Sequence, residues 1–206
     1  SLVDPKTVRP ESVLTHGCDP RAVGSGKAVV TGRLCQRIRP GLQVRVCGGA
    51  IQDMPYATFA DMDLVVLATD NLPAEVETGL RCMRLGKPLA NGALYGNTLT
   101  AVVRFFGNTD GQGPCPACLY GPQEWFEHDA TTRRYSCDGS SADPATSGNG
   151  VQPTRSLSHL CALTADLTVN QIIRHTLRLG KPVVDTIVEF NGYTNHTLTV
   201  PLKRNP

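Results

Sequence analysis

Apolar and polar positions change period several times along these 206 residues, and each change marks a predicted element. Residues 1–4, Ser-Leu-Val-Asp, read as the end of a strand. From Lys27 to Arg39 apolar residues recur at helical spacing among basic ones, and Pro40-Gly41 stops the helix. Residues 42–48 alternate with the period of a strand. Leu64 to Leu67 are four consecutive aliphatic residues, which predicts a strand covered on both faces, and the chain then turns polar at Thr69-Asp70-Asn71. A proline in the first turn and a closing glycine frame a helix over 73–86, and strands are expected at 87–96 and 99–107. Residues 107–153, rich in Gly, Pro, Ser and Asp, predict an irregular crossover loop. A long helix follows from Ser156, with Leu157, Leu160, Cys161, Thr164, Leu167, Ile172, Ile173 and Leu177 as its apolar positions, and strands at 186–192 and 197–203 finish the chain.

The first half is thus ordered βαββαβ, the order of a mostly parallel sheet with helices on both faces, closed by antiparallel C-terminal strands. Its length suits one α/β domain over 1–206 with the 107–153 loop inside it. Such folds bind ligands at the carboxyl ends of their parallel strands, and Asp70 stands at such an end. The plainer reading is that Asp70 caps the helix that starts near Pro73.

Charge narrows the function classes. With 20 basic and 18 acidic residues there is no clustered basic excess of the kind nucleic acid requires. The apolar runs are strand-sized, so no membrane span is expected. Eight unevenly spaced cysteines favour a reduced, cytoplasmic protein whose thiols are core filler, metal ligands or nucleophiles. Cys115 and Cys118 have the Cys-x-x-Cys spacing of half a tetrahedral zinc site. A plain loop pair is the alternative, and a redox motif is the weaker third because Leu-Tyr-Gly-Pro follows where a helix would be needed. Cys137 stands near Arg133 and Arg134, whose charge favours the thiolate. Cys161 reads as core, Cys18, Cys35, Cys47 and Cys82 as core or incidental thiols, and His159, His175 and His196 are too scattered to form a cluster.

Taken in order, Leu-Val-Asp-Pro-Lys-Thr-Val at 2–8, Gly-x-x-Lys-Ala at 24–28, Val-Val-Leu-Ala-Thr-Asp-Asn at 65–71, Gly-Lys-Pro-Leu-Ala-Asn-Gly-Ala-Leu-Tyr-Gly at 86–96, Gly-Pro-Cys-Pro-Ala-Cys-Leu-Tyr-Gly at 113–121, Tyr-Ser-Cys at 135–137 and the helix end at 172–182 resemble the ubiquitin-activating (E1-like) superfamily, the ThiF, MoeB and HesA group. The resemblance implies a Rossmann-like domain that uses ATP to adenylate the C-terminal carboxylate of a ubiquitin-like or sulfur-carrier protein, followed in some members by transfer to a cysteine. By the same resemblance, Asp70 with Asn71 would hold Mg²⁺, Asp4 would accept the ribose hydroxyls, Lys27 would face the phosphates and Cys137 would be the acceptor. Cys115 and Cys118 would share structural Zn²⁺ with a second cysteine pair, and the protein would form a homodimer. Read without the resemblance, Asp4 is a turn residue before Pro5, and Lys27 is a solvated helix lysine.

Three departures qualify the match. The chain starts at what corresponds to the second strand of the family, so the sheet is expected to be incomplete at the N-terminus and the chain a fragment. Ser12 and Thr15 stand at the family's asparagine and arginine, with Arg9 or Arg21 as conceivable substitutes. No second cysteine pair precedes Pro206. The competing expectation is therefore a non-catalytic E1-like partner that binds a ubiquitin-like protein or a true E1, and a third is a nucleotide-sensing module unconnected with conjugation.

Overall fold

The computed structural model describes residues 1–10, 12–13, 18–69, 72–108, 111–122, 157–180 and 184–205. They form two compact units, Ser1–Pro55 and Tyr56–Pro206.

In the first unit, β1 (Leu2–Val3) and β2 (Val46–Cys47) pair in parallel, Leu2 opposite Val46 and Val3 opposite Cys47. Helix α1 (Lys27–Ile38) joins them and ends before Pro40-Gly41, where Gly41 takes a positive φ of 87°. Gly32 lets α1 approach the strands, because a Cβ there would stand 3.2 Å from Val46 and 3.3 Å from Val44. Val8 and Ala28 are the buried apolar residues of this unit.

The second unit is built on a five-stranded sheet in the order β3-β4-β5-β6-β7. These strands are β3 (Val65–Leu67), β4 (Leu89–Tyr95), β5 (Thr100–Phe106), β6 (Thr186–Asn191) and β7 (His196–Pro201). β3 and β4 are parallel, and every later pairing is antiparallel. The β3-to-β4 crossover runs through α3 (Leu72–Arg84), preceded by the short α2 (Tyr56–Ala60). α3 ends as its sequence predicts: Gly86 is left-handed at φ 62°, and the Lys87 and Gly86 amides donate to the Cys82 and Met83 carbonyls.

Alternation along β4 and β5 sends successive side chains to opposite faces. Asn91 and Arg104 point towards Glu75 of α3, whereas Gly92 faces α4 (Ser158–Thr176), so helices cover both faces. α4 buries Leu160, Thr164, Thr168 and Gln171 and leaves Ile173 and Leu177 exposed. Leu160 and Thr164 follow the expected pattern, whereas Thr168 and Gln171 depart from it, for a physical reason. The Thr164 and Thr168 hydroxyls donate to the carbonyls four residues earlier, at 2.8 and 2.7 Å, so they need no further partner. Gly92 then admits Thr168, whose Oγ1 would lie only 2.8 Å from a Cβ at position 92.

Two further differences concern strands. The strand expected at 42–48 is confined to Val46–Cys47. β3 is not covered on both faces: it is the edge strand of its sheet, and Val66 is 53% exposed. The short helix α2 had no sequence signal, since five residues carry too little periodicity to read.

Candidate functional site

Asp4 follows β1 at the carboxyl end of the parallel pair, its amide donating to the Cys47 carbonyl. Its Oδ1 accepts the Lys6 amide at 2.8 Å, so the turn role expected from Pro5 is present. A short antiparallel bridge, Thr7 opposite Gly26, then ties this segment to the start of α1, with the Lys27 amide on the Lys6 carbonyl at 2.9 Å. Asp4 and Lys27 are thereby held in one hydrogen-bonded lattice. Gly26, at the N-cap, offers no side-chain acceptor, and the first turn of α1 holds no acid. The dipole of α1 and the half-buried Lys27 side chain make one electropositive place that suits a phosphate, although the Lys27 amide itself is taken by the Lys6 carbonyl.

The arginine question has a partial answer. Arg21 is engaged by Asp19 through contacts of 2.8, 3.1 and 3.2 Å, and these hold the Asp19 carboxyl down to about 2. Ser12 is buried and accepts the Arg9 amide.

Cys115 and Cys118 lie on the turn of 3-10 helix Pro116–Leu119, their sulfurs 3.9 Å apart. That separation fits two thiolates on one tetrahedral zinc, which bonds of about 2.3 Å place about 3.8 Å apart. Burial and the neighbouring Cys118 push the Cys115 thiol up. Burial also pushes against Cys118, but the Cys115 and Asn205 amides, the Cys115 side chain and the Arg204 charge outweigh it and lower that thiol. The two sulfurs open on a cavity of ≈ 390 Å³ lined also by Met83, Tyr120, Arg204 and Asn205. Soft thiolates in this geometry suit zinc, although no group of three or more metal-binding side chains occurs among the described residues.

The turn is seated on α3. Pro116 fills the space a side chain at Gly79 would need. Gly79→Ala should therefore destabilise the protein by about 1–3 kcal/mol, a fall in Tm of roughly 5 °C in a thermal melt; an unchanged Tm would show that the turn does not depend on this contact.

A buried polar cluster went unread in the sequence. Leu67, Asn91 and Arg104 form one row across β3, β4 and β5. Arg104, 8% exposed, donates to Asn91 Oδ1 at 2.9 Å and Tyr95 at 3.1 Å and stands 3.8 Å from Glu75 Oε2. The Tyr120 hydroxyl donates to the same carboxylate oxygen at 3.0 Å, and burial and the Glu75 charge push that phenol well above its ordinary range. Arg104 Nε and Thr69 Oγ1 are buried without partners among the described residues. The signal was an arginine inside the apolar run Ala-Val-Val-Arg-Phe-Phe.

Asp70, Asn71, Thr15 and Cys137 lie outside the described residues, as does most of the 107–153 loop. Cys82 is core, its thiol pushed up to about 12 by burial, and Cys161 is half-buried. No described helix is long and apolar enough to cross a membrane.

Comparisons with known proteins agree along the whole chain. The sequence profile of the ThiF family matches residues 1–206. A sulfur carrier protein adenylyltransferase of Thermus thermophilus is 24% identical over 186 residues, 89% of this chain and 62% of that protein. The crystal structure of E. coli MccB with ATP superposes at a TM-score of 0.71 with 15% identity, over 99% of this chain and 56% of MccB. That of selenomethionine PaaA gives 0.67 with 14% identity, over 97% of this chain and 63% of PaaA. The chain therefore spans less than two thirds of the length of each of these relatives.

Proposed function

We propose that this chain, which belongs to the ThiF family over residues 1–206, is part of an enzyme that uses Mg-ATP to adenylate the C-terminal carboxylate of a ubiquitin-like or sulfur-carrier protein. The family match over the full length is the observation that carries this reading.

The roles are those that the family resemblance implies. The amides at the start of α1 and the Lys27 ammonium bind phosphate oxygens, and the Asp4 carboxylate accepts the ribose hydroxyls. Asp70, aided by Asn71, supplies the hard oxygen that Mg²⁺ prefers, and the ion offsets the charge that builds on departing pyrophosphate. Cys115 and Cys118 give two ligands of a structural zinc, Cys137 is the acceptor if the acyl group moves to the protein, and the chain acts as one ThiF-type domain in a homodimer.

ATP–pyrophosphate exchange by the full-length protein tests this, with ubiquitin-like proteins from the same source added singly. Exchange that depends on one carrier is the expected result, and no exchange with any carrier overturns it. In that assay Lys27→Ala should raise the KM for ATP about tenfold or more through loss of a charge-assisted contact; an unchanged KM would return Lys27 to the role of a solvated helix lysine.

A second reading, a non-catalytic partner, is favoured by one observation: Thr15 stands at the position of the family's arginine. Carrier binding without exchange would select it.

A further inference from the structure

β5 is buried along its whole length, and packing alone asks for an apolar residue at 104. Arg104 stands there instead, and every polar group it engages lies near the carboxyl end of the parallel β3–β4 pair or the opening of the following helix. Through Asn91, whose Nδ2 donates to the Leu67 carbonyl at 3.4 Å, it reaches the last residue of β3. Through Glu75, whose Oε2 also accepts the Tyr120 hydroxyl, it reaches the first turn of α3. One cation thus joins the two pieces of backbone that flank a strand-to-helix turn, and in α/β folds such turns carry the ligand.

We propose that Arg104 is a positioning residue, which with Glu75 and Asn91 locks the end of β3 to the first turn of α3 and so holds these two elements in the relation the adenylation step needs. This deepens the function proposed above and rests on it. Arg104 is buried and acts through Asn91 and Glu75. Its loss loosens β3 against α3 and lowers turnover more than it weakens nucleotide binding.

Arg104→Met keeps an unbranched, flexible stem and removes the charge. Because it strands the Glu75 carboxylate, it is compared with the double variant Arg104→Met/Glu75→Gln, which removes both charges. In full-length protein both variants should lower kcat for carrier-dependent exchange about tenfold or more, with the KM for ATP within about threefold of wild type. Hydrogen exchange should quicken about tenfold in the segment 64–80 and stay unchanged in α4, β6 and β7. A double variant that regains wild-type kcat overturns the proposal, because then only an uncompensated charge mattered. Exchange that quickens evenly through the chain, or not at all, overturns it too. Should the wild-type protein show no carrier-dependent exchange, the adenylation reading fails, and hydrogen exchange alone decides whether Arg104 holds β3 against α3.

Discussion

Asp70→Ala in the full-length protein should lower Mg-dependent ATP–pyrophosphate exchange about a thousandfold or more, while the melting temperature falls by only a few degrees. Asp70 follows β3 and Thr69 and precedes α3, which opens at Leu72. A carboxylate there can hold a divalent cation, or cap the helix, or do both. The two roles differ in size and in chemistry. Loss of a cap costs about 1 kcal/mol of stability and leaves turnover alone, whereas loss of a magnesium ligand leaves the fold and removes several kcal/mol of transition-state stabilisation. Asp70→Asn separates them, because asparagine caps as well as aspartate but is a far poorer ligand for Mg²⁺. Exchange by Asp70→Asn should need much more Mg²⁺ for half-maximal rate. A magnesium titration identical to wild type would remove Asp70 from the metal site.

Cys118→Ser should strip zinc from the full-length protein, from about one equivalent to under about 0.1 by elemental analysis, and lower Tm by roughly 10 °C or more. Cys118 suits the test better than Cys115. It is the less buried of the two, so its replacement disturbs packing least, and its surroundings favour the thiolate that metals bind. At 3.9 Å the sulfurs are well beyond the roughly 2.05 Å of a disulfide, a spacing open alike to a shared tetrahedral metal and to two reduced thiols in contact, so the variant decides among the three readings of the pair. A redox pair predicts instead that Cys118→Ser leaves Tm unchanged under reducing conditions. Wild-type protein without bound zinc, or a variant that keeps it, would return these cysteines to an ordinary loop.

Local signals sufficed wherever a segment's own chemistry chooses its conformation. Pro40-Gly41 and Gly86 end α1 and α3 where the sequence said they would, because a proline cannot continue a helix and only glycine enters the left-handed region without strain. The Cys-x-x-Cys spacing placed two sulfurs together for the same reason: a single turn spans it. Asp4 and Lys27 were legible as residues, and the family resemblance supplied their roles.

What the tertiary structure decided depends on contacts far apart in sequence. Four aliphatic residues in a row promised a strand covered on both faces, yet Val66 is exposed, since a strand's place at the edge of a sheet is set by its neighbours and not by its own pattern. The buried face of α4 took Thr168 and Gln171 beside the expected Leu160 and Thr164; the Thr168 hydroxyl finds its partner only once the helix exists, and its size matters only against Gly92. Arg104 likewise gained its meaning from Asn91, Glu75 and Tyr120, residues 13, 29 and 16 positions away that only sheet register and helix docking bring within reach. Sequence by itself determined the family and the order of all the elements but the short α2, because an ordered series of motifs and local propensity suffice for these. Tertiary structure alone decided which polar groups are buried together, because the cost of burying a charge is met only by partners that folding supplies.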